Sequence, residues 1–282
     1  MDTNQILGYI ASFLIGITLG LFGGGGTILT VPVLYYLLHI ESDISILYSM
    51  FIVGMATFVG GINSYINHNL NLKAAYSFGI PSLIAVFITR KTITPWIDAQ
   101  TWTMGSYILT GKHLLMFLFA VLMIVVSLFM ILKKQDNEIE EQVKKKKFYF
   151  GIILKAMLVG FISGLIGAGG GFIIVPSLMT FYKLNVKEAI GTSLIIIAAN
   201  SFFGFMGDFI QLSATPFQLS FDTNRFYTNE WSFLLLFSFI AILGILFGLW
   251  IARKIQSNKL KVAFGYFVLL MGIYVFFKEL FN

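Results

Sequence analysis

The chain has 282 residues, 57% of them hydrophobic and only 11% charged, with a mean hydropathy of +0.86 and a formal net charge of +6. Soluble domains carry roughly one quarter charged residues, so this composition excludes an ordinary soluble protein and indicates an integral membrane protein. With no cysteine, disulfides, thiolate metal sites and cysteine nucleophiles are excluded, and the redox compartment stays open.

Taken in chain order, the apolar segments expected to be helical are 6–22, 27–40, 46–66, 75–89 and 113–132. After the charged run 133–147 come 151–166, 172–183, 188–210, 232–252 and 262–278. Their lengths suit α-helices, which need about 20 residues to cross the hydrocarbon layer. Outer-membrane barrels instead show alternating segments of about 10 residues. The first segment follows Met1–Gln5 without a basic n-region or a cleavage pattern, so it is expected to belong to the mature core rather than to a signal peptide. Seven of the 19 basic residues fall between Lys133 and Lys155. That cluster reads as a cytoplasmic loop obeying the positive-inside rule, not as a nucleic-acid surface.

The two halves match. Gly16, Gly20, Gly23, Gly25, Gly26 and Pro32 align with Gly160, Gly164, Gly167, Gly169, Gly170 and Pro176 at a constant offset of 144, and the same offset carries Ser49 onto Ser193, Thr57 onto Ser201 and Gly60 onto Gly204. "ITRK", ending at Lys91, resembles "IARK", ending at Lys254, after a polar insertion at Gln211–Asn229. The division expected is a first transmembrane repeat at 1–132, a cytoplasmic charged connector at 133–147 and a second repeat at 148–282.

Charge orients the repeats. If each Gly-rich segment is a hairpin, each half makes an odd number of passes or part-passes, and the second half is upside down. The inner side then holds Lys73, Lys133, Lys134, Lys144 to Lys147, Lys155, Lys183, Lys187, Arg253, Lys254, Lys259 and Lys261, 14 of the 19 basic residues. Continuous spans would divide the same residues 10 to 9. The asymmetry rule favours inversion, with both termini outward and Glu41 and Asp43 in an outer turn.

"LFGGGGTILTVP" (Leu21–Pro32) and "LIGAGGGFIIVP" (Leu165–Pro176) break the apolar pattern with glycine. Unpaired backbone groups cost several kcal/mol in hydrocarbon, so irregular backbone survives there only when buried in protein or lining a wet cavity. The second arm of each hairpin starts near Thr27 or Phe172, and its free N–H groups and positive dipole end would point into the membrane. Such an end is an anion site, and two of them meeting near the midplane is the geometry of inverted-repeat carriers. Pro32 and Pro176 sit about five residues into each arm, close to the first turn, where a missing N–H is least harmful. Close helix packing is the competing use of glycine, and Gly16/Gly20 and Gly160/Gly164 are expected to serve it. No Gly-Lys-Ser/Thr follows either run, so a phosphate-binding P-loop is a poor match.

These twin motifs, with "GTS" at Gly191–Ser193, resemble the TauE/SafE family of sulfite and organosulfur anion transporters over essentially the whole chain. The resemblance implies movement of small sulfur-containing anions such as sulfite or sulfoacetate. The first half departs from the pattern: "YSM" at Tyr48–Met50 replaces a Gly-Thr-Ser-like triplet, and the stretches Arg90–Lys112 and Gln211–Asn229 are unusually long.

The candidate substrate-binding residues are Gly23, Gly24, Gly25, Gly26 and Thr27 at one tip, and Gly167, Gly169, Gly170 and Gly171 at the other. Neutral donors near the midplane complete the set: Thr57, Ser193, Asn200 and Ser201. Ser193 and Asn200, seven apart, share a helix face. For the hydroxyls and the amide, hydrogen bonding between helices is the alternative. No Lys or Arg falls well inside a predicted span, so dipoles and neutral donors would hold the anion weakly and reversibly. Asp208, His39, His68 and His113 read as interfacial or solvated, and Trp96, Trp102 and Trp231 as interfacial indoles. The connector reads as a solvated segment with a secondary attraction to anionic lipid.

The expected fold class is an all-α multi-pass membrane protein of two inverted repeats, each with a Gly-rich helical hairpin and three further transmembrane helices. The expected function is secondary transport of small anions in an inner or plasma membrane by alternating access. An anion channel and a non-transporting membrane scaffold remain the alternatives. No acid, base, nucleophile or metal cluster at membrane depth suggests an enzyme. No cofactor, metal or nucleic acid is expected. The partners are a small anionic substrate and membrane lipids, and homodimerisation is left open.

Overall fold

A computed structural model describes residues 3–40, 42–93, 96–97, 101–104, 107–132, 145–166, 171–214 and 230–281. Helix α1 (Thr3–Phe22) runs into a 3-10 turn at Gly23–Gly26, the short helix α2 (Thr27–Pro32) and one π-helical turn at Val33–Leu37. Next come α3 (Ser42–Ile66) and α4 (Leu72–Ile88), the latter extended by a π turn at Thr89–Ile93. An antiparallel pair, β1 (Thr101–Met104) with β2 (Tyr107–Thr110), precedes α5 (Gly111–Leu132). The second half contributes α6 (Lys145–Ile166), α7 (Gly171–Phe181), α8 (Val186–Ala214), α9 (Glu230–Lys254) and α10 (Ser257–Phe281).

The helical class holds. Among the described residues, five helices are long and apolar enough to cross a membrane: Ile44–Ile66, Leu72–Ile93, Val186–Gly207, Trp231–Lys254 and Ser257–Lys278. Shorter apolar stretches lie at Ile6–Phe22, Ala120–Leu132 and Gly151–Leu165. Large apolar side chains such as Leu154, Leu158, Phe239 and Leu270 stand on the outside, as hydrocarbon rather than water requires.

Three local features differ from the expectation. The segment expected as a helix over 27–40 is α-helical only to Pro32 and then widens into the π turn, whereas Pro176, at the repeat offset, stays inside a regular α-helix. The stretch 90–112, expected as a loop, contains the β pair, whose Thr-, Trp- and Tyr-bearing strands are good strand formers joined by two residues. Several helices also run past their apolar windows. Asn71 starts α4 three residues early by accepting from the Ala74 N–H at 3.0 Å, and Asn185 starts α8 two residues early by accepting from the Glu188 N–H at 2.9 Å. Lys145–Lys147 form the first turn of α6, while 133–144 lie outside the described residues.

Helix pairing crosses between the halves. α1 packs on α9 and α6 on α4; α3 packs on both α8 and α9; α4 packs on α8; α5 packs on α10. Exchanging each helix for its counterpart in the other half, α1 for α6, α3 for α8, α4 for α9 and α5 for α10, maps this pattern onto itself. Both arms also end on a left-handed residue at the repeat offset, His39 with φ 53° and Lys183 with φ 52°.

Glycines set the closest approaches, as expected for Gly16, Gly20, Gly160 and Gly164. A Cβ on Gly16 would lie 2.8 Å from the Gly244 Cα, and one on Gly20 2.7 Å from the Leu249 N. In the mirrored pair α6–α4, a Cβ on Gly160 would lie 2.8 Å from the Ser82 Cα, and one on Gly164 2.8 Å from the Thr89 Cβ. Ser12 Oγ joins α1 to α9 by donating to the Phe237 carbonyl at 2.7 Å.

Candidate functional site

The glycine run Gly23–Gly26 sits at the centre of these crossings. Gly23 adopts φ +65°, a conformation that costs an L-residue about 1–2 kcal/mol and is open to glycine. The turn it starts is not capped by any side chain at Phe22. Gly26 closes the turn against α1: a Cβ there would lie 2.7 Å from the Leu19 N. The Thr27 hydroxyl is buried and donates to the Gly24 carbonyl at 2.7 Å, so its proton belongs to the turn itself.

Gly24 meets the start of α7. A Cβ built on Gly24 would overlap the Gly171 backbone, and one built on Gly171 would lie 2.9 Å from the Gly24 carbonyl oxygen. Backbone therefore touches backbone where the two glycine motifs face each other. Gly167, Gly169 and Gly170 lie outside the described residues.

Helix α8 runs alongside this junction. A Cβ on Gly23 would lie 2.6 Å from Ser193 Oγ, one on Gly171 2.7 Å from Ile197 Cδ1, and one on Gly54 of α3 3.4 Å from the Ser201 Cβ. Ser193, Ile197, Asn200 and Ser201 recur at intervals of four, three and one, which keeps them on one helical face. The same face continues to Gly204, where an added Cβ would lie 3.0 Å from Arg90 Nη1. Arg90 turns its guanidinium inward to 2.8 Å from Met50 Sδ.

The polar groups on these helices divide into two kinds. Thr57 and Ser193 donate to carbonyls of their own helices, Val53 at 2.6 Å and Ile190 at 2.8 Å. Neither bonds between helices. Asn200 is only 3% exposed and Ser201 only 2%. Among the described residues, both polar atoms of the Asn200 carboxamide and the Ser201 hydroxyl have no hydrogen-bond partner. Each such group, left unsatisfied, costs about 1–3 kcal/mol, and a small polar ligand is the natural way to relieve it.

The remaining candidates fall at the edges. His39 and His68 are exposed, as are Trp96 and Trp231; the side chains of Asp208, His113, Asp43 and Trp102, and Glu41 altogether, lie outside the described residues. Cations within the candidate spans stay near their ends: Lys73 at the start of α4, Arg90 and Lys91 in the π turn after it, Lys187 at the start of α8, Arg253 and Lys254 at the end of α9, and Lys259, Lys261 and Lys278 towards the ends of α10. Among the described residues no three of His, Cys, Asp and Glu come together as metal ligands.

One group was counted in the charge balance but not assigned to a site. Lys187 and Arg253 line a small pocket with Ser64, Asn69 and Ile190. The repeated Arg-Lys pair in "ITRK" and "IARK" was the signal available for it.

A family profile described as sulfite exporter TauE/SafE matches residues 8–275. A probable membrane transporter protein of Methanocaldococcus jannaschii is 26% identical over 280 residues, covering 94% of this chain and 93% of its own. A probable membrane transporter protein of Xylella fastidiosa (strain 9a5c) is 27% identical over 269 residues, covering 94% and 92%. The probable membrane transporter protein YunE of Bacillus subtilis is 24% identical over 304 residues, covering 96% and 100%. No solved structure matches.

Proposed function

We propose, from the premise that the chain belongs to the sulfite exporter TauE/SafE family, that it is a secondary transporter of small anions, sulfite or organosulfonates. The anion is held near the midplane between two Gly-rich hairpin tips and released by alternating access of two inverted halves. The exchange-symmetric helix pairing supports the repeat, and the bias of basic residues to one side supports inversion. Related proteins carry the name of probable membrane transporters over nearly their whole length, which supports transport over catalysis.

The observation that carries the site is the contact of Gly24 with Gly171, which Ile197 of α8 also touches, with the unpartnered Asn200 and Ser201 one turn further along that helix. In this reading the backbone N–H groups of Gly23 to Gly26 and of Gly167 to Gly171 face the anion. Asn200 and Ser201 donate to its oxygens, with Thr57 and Ser193 beside them. Neutral donors suit a carrier: they avoid the burial of a full charge and release what they bind. The movement required is separation of the two tips, since with Gly24 against Gly171 no oxoanion fits between them.

The test is counterflow of labelled sulfite and sulfoacetate in proteoliposomes of the full chain. Saturable, trans-stimulated flux of either anion is the expected result. Flux that neither saturates nor responds to trans substrate indicates a channel, and absence of flux for every sulfur anion overturns the substrate reading.

A further inference from the structure

Beside the glycine tip, four chain segments close around a pocket: the end of α3 with Ser64, the α3–α4 turn with Asn69, the start of α8 with Lys187 and Ile190, and the end of α9 with Leu249, Ala252 and Arg253. Lys187 Nζ donates to the Arg253 carbonyl at 2.7 Å, and the Arg253 guanidinium donates to Asn63 Oδ1. These bonds tether Lys187 to the end of α9 and Arg253 to α3, and both residues line the same pocket. An ammonium has three N–H donors and a guanidinium five, so both have donors left to offer. Among the described residues no carboxylate lines the pocket. Glu188, next to Lys187 in sequence, does not line it, and its backbone N–H is held by Asn185.

The pocket leads to the tip. Its Ile190 has a Cα only 3.4 Å from where a Gly23 Cβ would stand, and Ser193, one turn further along α8, touches the same glycine. A single buried residue, Ile190, therefore separates the pocket from Gly23. The sequence repeat places Arg90 in the equivalent position of the other half.

We infer that Lys187 and Arg253 form a capture site for a small oxoanion, a sulfite or sulfonate, at the mouth above Gly23. This rests on the transport reading of the tip. The guanidinium supplies paired donors to two oxygens of the anion and the ammonium supplies a point charge. A pair of cations in a concave mouth concentrates anions by attraction that salt weakens. The anion then exchanges this charged site for the neutral donors deeper in.

The experiment measures sulfite uptake in proteoliposomes for the wild type, Lys187→Gln, Arg253→Gln and Arg253→Lys, with Lys259→Gln as an exposed control of equal charge change outside the pocket. Either glutamine variant raises KM about tenfold with kcat preserved, and flattens the dependence of uptake on ionic strength. Arg253→Lys recovers part of the loss and Lys259→Gln changes neither quantity. Unchanged KM in both glutamine variants, or an equal shift in Lys259→Gln, overturns the capture site. A second readout is independent of flux: sulfite slows acylation of Lys187 by an amine-reactive reagent in detergent-purified protein, and does so less in Arg253→Gln. Protection of Lys187 in a wild type that transports nothing supports the capture site and sinks the transport reading. Absence of protection overturns the site whatever the flux.

Discussion

Gly24 and Gly171, one from each half of the chain, stand so close that neither has room for a Cβ, and what fills the space is backbone rather than a side chain that can swing aside. Any larger residue must part the two motifs. Gly24→Ala and Gly171→Ala are each expected to lower sulfite counterflow about a hundredfold, the order that a 1 Å misplacement costs a positioned site. The check is counterflow at matched amounts of monodisperse protein. Flux within twofold of the wild type in either variant would remove the junction from the mechanism.

Gly23 and Ser193 form a coupled pair. Gly23→Ala meets two penalties, the left-handed backbone and the Ser193 Oγ only 2.6 Å from the new methyl. Ser193→Ala removes the second and not the first. A double-mutant cycle by thermal unfolding in detergent should therefore show a coupling of about 0.5–3 kcal/mol, with Gly23→Ala less harmful when Ser193 is Ala. Strict additivity would mean that Ser193 turns away without penalty.

Asn200 trades stability for polarity. Replacing its unpartnered, buried carboxamide by the similarly shaped leucine relieves about 1–3 kcal/mol per unsatisfied group. Asn200→Leu is expected to raise the Tm in detergent while reducing sulfite flux at least tenfold. A lower Tm would show that the amide is satisfied in the folded protein, and full flux would exclude it from the anion path.

The crossed packing makes the halves equally sensitive. Gly16→Ala and Gly160→Ala push a methyl against the backbone of α9 and of α4 respectively, and each should destabilise by about 1–3 kcal/mol. Gly151→Ala, with nothing within 4 Å of the added atom, is the control and should be neutral or stabilising through helix propensity. Thermal unfolding of the three purified variants decides this, and equal melting of all three would contradict the crossed pairing.

Much of this arrangement is legible in the sequence because apolar length and glycine spacing are local signals. The offset of 144 predicted matched halves, and Gly16 and Gly160 occupy matched crossings with helices of the opposite half. What the apolar windows miss lies at polar boundaries. Asn71 and Asn185 begin their helices outside any hydrophobic run because a capping bond, not burial, decides where a helix starts. The π turn after Pro32 has no compositional mark, since Pro176 at the repeat offset is followed by regular α-helix. Hydroxyl partners are equally hidden: Thr57 and Ser201 are equivalent in the repeat, yet Thr57 bonds to its own helix and Ser201 has no partner. The Lys187–Arg253 pocket joins residues 66 apart, a proximity that exists only once α8 and α9 have both packed on α3.

The crossed pairing also imposes an order on synthesis. α6 begins about 60 residues after α4 ends, whereas α9 begins about 200 residues after α1 ends. At about 5–20 residues per second, α1 waits roughly 10–40 s for its partner, holding the Gly16–Gly20 groove open in the bilayer until then. Assembly thus proceeds from the middle of the chain outward: α4 closes on α6 first, and the first helix made is among the last to be packed. A nascent chain stopped after α8 would have a complete α4–α6 pair and an unpartnered α1, the form most exposed to membrane quality control.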